Sequence, residues 1–156
     1  SEDKYIEVIY SWYTLDEIEK IKKLYNIKLN KTDQLYVFLN SIGKFSAGLF
    51  GNEPLLMYSS GWSIRNHLLF QNESRKEIEA IDSSMINKMP FFISKECETH
   101  YMFLLTSSDA PNLIYRYNEG EGIVESMGID LISYLKKIIS EYGFFKDGIL
   151  DFNYLV

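Results

Sequence analysis

Three runs of aromatic and β-branched residues constrain this chain most: Phe91-Phe92-Ile93, Tyr101 to Thr106 and Leu113 to Tyr117. Turn-rich stretches at Lys95 to Thr99 and Ser107 to Asn112 separate them. Runs of this composition fit buried or half-buried strands, and connections this short join only antiparallel neighbours. The spacing predicts an antiparallel meander. After the Glu-Gly-Glu-Gly turn within Asn118 to Gly122, Ile123 to Ser126 can add one more short strand.

Such a sheet needs helices to bury its faces, and the flanks supply them. Thr14-x-x-Glu17 has the form of a capping box, in which hydroxyl and carboxylate satisfy each other's backbone N–H. Leu15, Ile18, Ile21, Leu24 and Tyr25 follow at helical spacing, so a first helix is expected from Thr14 to about Tyr25 or Asn26. A second is expected from Asn30 or Thr32, with Leu35, Phe38, Leu39 and Ile42 on its apolar face and Gly43 as a left-handed cap. Beyond Phe45, Gly48, Gly51 and Gly61 break up short apolar runs, Pro54 excludes a helix, and Leu55 to Ser59 reads as a strand. Residues 63 to 87 are helix-tolerant but polar around Asn72 to Ser74, which predicts an irregular or broken helix. A final helix is expected after Gly128 or Asp130, burying Leu131, Ile132, Leu135, Ile138, Ile139 and Tyr142 and closing at Gly143. Leu150, Phe152 and Tyr154 then alternate with polar residues as in a half-buried strand. Phe38, Leu39, Phe103, Leu105, Leu135 and Ile139 sit on the apolar phase of their elements and are the expected core.

The 156 residues contain no repeat, linker or low-complexity tract, so residues 1–156 read as one α+β domain: a twisted, mostly antiparallel sheet flanked by helices. Sixteen basic against 22 acidic residues leave a net charge of −6, the wrong sign for neutralising nucleic-acid phosphates and the right one for a basic partner. The excess is uneven: six acidic and six basic residues balance over positions 1–31, whereas positions 111–156 carry seven acidic against four basic. The single cysteine, Cys97, forms no intramolecular disulfide, no apolar run approaches membrane-spanning length, and the opening residues have no signal-peptide core. A cytoplasmic protein is expected, with no membrane contact and no direct nucleic-acid binding; its oligomeric state is not legible.

Candidate chemistry is thin. Cys97-x-x-His100 is the one pair with metal-like spacing, but a structural or catalytic zinc needs three or four ligands, and the other histidine, His67, is far off in sequence. The same pair as a thiol nucleophile is opposed by Glu96 and Glu98, whose charge raises a thiol pKa. Paired carboxylates at Glu96 and Glu98 and at Glu119 and Glu121 flank turns, the setting of a solvated acidic rim rather than of an acid–base pair in an apolar cleft. Gly48-Leu49-Phe50-Gly51 lacks the Lys and Ser/Thr of a phosphate loop. Alternating Tyr101, Phe103, Tyr115 and Tyr117 imitate a base-stacking platform but have only Arg116 among them, so packing explains them better. Trp62 is equally compatible with a core cover and an exposed anchor. No cofactor and no metal are expected.

The order of these elements resembles the SUKH superfamily. The residues that carry the likeness are the helix from Leu35 through Ser41-Ile42-Gly43, Gly48-Leu49-Phe50-Gly51, Met89-Pro90-Phe91-Phe92-Ile93-Ser94, the strand with Tyr101, Leu113-Ile114-Tyr115-Arg116-Tyr117, and Ile132-Ser133-Tyr134-Leu135 in the closing helix. The resemblance runs from about Thr14 to Tyr142. It implies an α+β fold and, in bacteria, an immunity protein that binds and neutralises a cognate polymorphic toxin, often a nuclease or another nucleic-acid-modifying enzyme. It brings no catalytic residues. A scaffold-like regulatory module of the same superfamily is the alternative it allows, with a Cys97-dependent hydrolase behind both. Charge and turn position, not the resemblance, then select the residues expected to meet a basic toxin: Glu96, Glu98, Asp109, Glu119, Glu121 and Glu125, with Trp62 or Tyr117 as aromatic anchors.

Overall fold

In the computed structural model of the protein, the residues described are 6–7, 11–44 and 62–144. The expected strand at Leu55 to Ser59, the Gly48 to Gly51 loop and the alternating tail lie outside them. After a two-residue strand, β1 (Ile6–Glu7), Thr14 caps helix α1 (Leu15–Tyr25) through both arms of the capping box. The Glu17 N–H donates to Thr14 Oγ1 at 3.2 Å, and the Thr14 N–H donates to Glu17 Oε1 at 3.1 Å. Tyr13 before the cap and Ile18 one turn into the helix are both fully buried, the arrangement that fixes the chain's angle of entry. Asn26 ends α1 in the left-handed conformation. Ile18, Ile21 and Tyr25 face the core; Leu15 and Leu24 are exposed, because at 100° per residue each stands roughly 90° from the centre of that buried arc.

Helix α2 (Gln34–Leu39) begins later than the sequence suggests. Asp33 draws the preceding turn tight by accepting from the Asn30 N–H at 2.8 Å, and the helix starts only after it. Gly43 is not its left-handed cap. The helix ends at Asn40, and Gly43 is required instead for close approach: a Cβ there would stand 2.8 Å from Leu39 Cα and 2.9 Å from the Phe38 carbonyl oxygen.

The polar segment expected to break is one continuous 20-residue helix, α3 (Trp62–Ile81), followed by a 3-10 turn over Ser83–Lys88. Its polar residues at 71, 74 and 75 are buried or half-buried rather than solvated, and Gln71 and Arg75 reach backbone groups of the neighbouring strand, so the amphipathic pattern is masked without the helix being interrupted.

Strands β2 (Pro90–Cys97), β3 (His100–Leu105), β4 (Leu113–Asn118) and β5 (Ile123–Asp130) form the antiparallel meander in the order β2-β3-β4-β5. The last strand continues past Ser126 to Asp130 by way of a register shift opposite Leu113 to Tyr115, where Gly128 takes φ +70°. Helix α4 (Leu131–Tyr142) follows and gives way to β6 (Gly143–Phe144), which pairs in parallel with β1.

Both sheet faces are covered. On one, Phe91, Ile93, Met102, Leu104 and Ile114 pack with α1, α2 and α4; on the other, Phe92, Phe103, Leu105 and Tyr117 pack with Ile78 of α3 and Met85 of the 3-10 turn. This is an α+β architecture with helices flanking an antiparallel sheet. Phe38, Leu39, Phe103, Leu105 and Leu135 are buried as expected, while the Ile139 side chain is not among those described. Tyr134, which the apolar spacing passes over, is buried too and shares a 2.8 Å hydrogen bond with Ser94.

Candidate partner-binding surface

The β2–β3 and β4–β5 turns lie at the same end of the sheet because β3 and β4 are neighbours in register, His100 opposite Asn118 and Tyr101 opposite Tyr117. The two turns are tied together: the Glu119 N–H donates to the Thr99 carbonyl at 2.8 Å. The second turn is also closed on itself by Gly122 N–H to the Asn118 carbonyl at 2.8 Å and Glu121 N–H to Asn118 Oδ1 at 3.2 Å, with Gly122 at φ +66°. Glu98, Glu119 and Glu121 are therefore displayed together, exposed, on pinned backbone.

On the α3 side of this end two tyrosines stack. The Tyr101 and Tyr117 rings are 5.8 Å apart at an interplanar angle of 24°. Tyr101 donates to Glu119 Oε2 at 3.0 Å, and the Glu77 carboxylate of α3 is close enough to Tyr117 for its charge to be felt at the phenol. Burial first, and then the adjacent negative charge, pushes both phenols up to about 12. Both are donors at any ordinary pH. Lys95 stands 5.3 Å over the Tyr101 ring on the same face, a cation already held against the aromatic surface.

The expected contact residues do not all lie together. Glu98, Glu119 and Glu121 converge, and Glu96 lies on β2 just before the same turn, its side chain not described. Glu125 points to the opposite face, where it sits across from Arg116 and accepts from its guanidinium, Nε donating at 3.0 Å; its charge is matched within the fold. Asp109 is exposed at the far end of the sheet, in the β3–β4 connection. Tyr117 is only 5 % exposed, so its ring packs inside the second core cluster and is no surface anchor. Trp62 opens α3, its side chain not described. Sequence reasoning missed Glu77. It stands two helical turns from Phe70, which packs on Tyr101, and that seven-residue spacing is the only local hint of a shared face.

Cys97 and His100 are backbone register partners across the hairpin, and among the described residues no three His, Cys, Asp or Glu side chains are placed to hold a metal ion. Among those residues no helix is long and apolar enough to cross a membrane. Comparison with protein-family models, with curated proteins and with solved structures returned no match.

Proposed function

We propose that this chain is a non-catalytic protein-binding domain: an immunity protein that neutralises a basic cognate toxin, a nuclease or other nucleic-acid-modifying enzyme, by covering its active-site cleft with the hairpin end of the sheet. The observation that carries the reading is the convergence of Glu98, Glu119 and Glu121 from two turns locked to each other by the Glu119–Thr99 bond. A cleft that binds phosphates is positive. Carboxylates preset on rigid backbone meet it with little ordering cost and steer its approach, an effect on association of order 10 to 10³-fold. The net charge of −6 and the resemblance to the SUKH superfamily support the same reading.

The test is kinetic. Glu98 and Glu121 have no side-chain partner among the described residues, so a Glu98→Lys, Glu121→Lys double variant alters charge and little else. Against the cognate toxin, wild-type association is expected to slow steeply as salt shortens the Debye length to about 8 Å at physiological strength. The double variant is expected to associate at least about tenfold more slowly at low salt and to lose most of that salt dependence. Salt-independent association, unchanged in the variant, refutes the charge-masking mechanism.

A further inference from the structure

Among the described residues strand β2 pairs on one side only, and its outward backbone groups at Pro90 and Phe92 are answered from α3. Gln71, 1 % exposed, accepts from the Phe92 N–H through Oε1 at 2.9 Å and donates through Nε2 to the Phe92 carbonyl at 2.7 Å. One helical turn on, Arg75 Nε donates to the Pro90 carbonyl at 2.8 Å. Four helix residues rise about 6 Å and two strand residues about 6.7 Å, so side chains at i and i+4 match backbone groups at j and j−2. Pro90 has no N–H to satisfy, and the edge is thereby complete at both positions. Because Gln71 takes both polar groups of Phe92, the Phe92–Phe103 pair is the kind that exchanges no ladder bonds, and those groups point out of the sheet.

We propose that α3 acts as a surrogate outer strand, with Gln71 keeping the β2 edge from pairing with a second copy of this chain. An unsealed edge is a template for another strand. The partner that always meets it at equal concentration is the same edge of another molecule, since two identical antiparallel edges pair about a twofold axis. The apolar Phe91-Phe92-Ile93 run makes that edge adhesive once its backbone is bared.

Gln71→Met keeps the side chain's length and removes both hydrogen-bonding groups. Amide hydrogen exchange at Phe92 is expected to accelerate at least about tenfold while Met102 and Ile114, inside the sheet, keep their protection. In sedimentation velocity over a concentration series, the variant is expected to gain mass with concentration where the wild type does not. A Phe92 amide as protected as in the wild type overturns the proposal, and so does a variant with a bared Phe92 amide that sediments as the wild type does. Should Gln71→Met fail to fold, the wild type decides alone: its Phe92 amide must exchange as slowly as the ladder-bonded amides, and exchange at the rate of an open edge refutes the sealing role.

Discussion

Arg75 ties α3 to both α1 and β2. Its guanidinium donates to the Pro90 carbonyl at 2.8 Å and through Nη2 to the Tyr25 carbonyl at 2.7 Å, so it caps the C-terminal end of α1 as well as the start of β2. Burial lowers its pKa, which marks the guanidinium as partly desolvated, and both acceptors are neutral carbonyls. Arg75→Met retains most of the buried stem and removes both bonds. Hydrogen bonds to a charged donor are worth about 1.5 to 3 kcal/mol each, and a cation at a helix C-terminus adds about 0.3 to 1 kcal/mol. Against these stands the relief of no longer desolvating a guanidinium, which brings the expected net loss to about 2 to 4 kcal/mol. For a chain of this size that is a fall in Tm of roughly 5 to 15 °C. Urea and thermal unfolding followed by circular dichroism measure it. Arg75→Lys is expected to fall between, because one ammonium does not span two carbonyls in the fixed fork of an arginine. A Met variant within about 0.5 kcal/mol of the wild type would mean the two bonds merely replace equally good bonds to water, and the reasoning fails.

Two further stability predictions follow from single positions. The Asp130 carboxylate accepts from the Ser133 N–H at 2.8 Å and from Gln34 Nε2 at 3.1 Å, and these bonds, those of Ser133 first, hold its pKa below the usual aspartate value. A depressed folded-state pKa stabilises the fold above the unfolded value of about 3.9 and loses that contribution as pH falls through the lower folded value. Asp130→Ala is therefore expected to cost about 1 kcal/mol near neutrality, as for other helix N-caps, and to flatten the acid limb of stability in urea midpoints taken between about pH 2 and 7. Gly43→Ala places a Cβ against backbone on both contacts and is expected to cost about 1 to 3 kcal/mol. Gly120→Ala, whose nearest contact would be Asn118 Oδ1 at 3.4 Å, is the control, and thermal unfolding should find it close to the wild type.

Local chemistry was legible in the sequence wherever one element decides it. The Thr14–Glu17 capping box needs only four residues, and the meander needs only period-2 runs and short turns, so both were readable. Helix α3 was not. Its segment pairs buried Ser74 and Ile78 with buried Gln71, and a glutamine reads as surface until the strand edge it satisfies is known. Gly43 was misread for the same reason: the close approach to Leu39 and Phe38 is a fact of the turn after α2, not of the glycine's neighbours in sequence. In the candidate surface, Glu98, Glu119 and Glu121 were identifiable as turn residues, but their convergence depends on β3–β4 register. Alternation placed Tyr117 and Arg116 on opposite faces without saying which of the two faces α3 would cover. Glu77 belongs to an element whose docking no local pattern reveals.

The acidic residues of the chain divide by what the fold asks of them. Glu17 completes a capping box and approaches Lys44 at 3.7 Å, Asp33 tightens the turn before α2, Asp82 accepts from Ser84, Glu125 pairs with Arg116, and Asp130 opens α4. Substituting any of these removes a bond from the folded state. Among the described residues Glu98 and Glu121 have no such duty, and they stand near Glu119 on tied turns, where like charges repel. Reversing them should therefore leave stability unchanged or raise it slightly, and the same reversal should weaken binding. That opposition is what separates a residue retained for a partner from one retained for the fold. Thermal unfolding of the Glu98→Lys, Glu121→Lys chain beside its association kinetics reads both sides at once. A Tm lowered by as much as the Asp130→Ala change lowers it would show that the two carboxylates serve the fold after all, and the case for a partner at this end of the sheet would go with it.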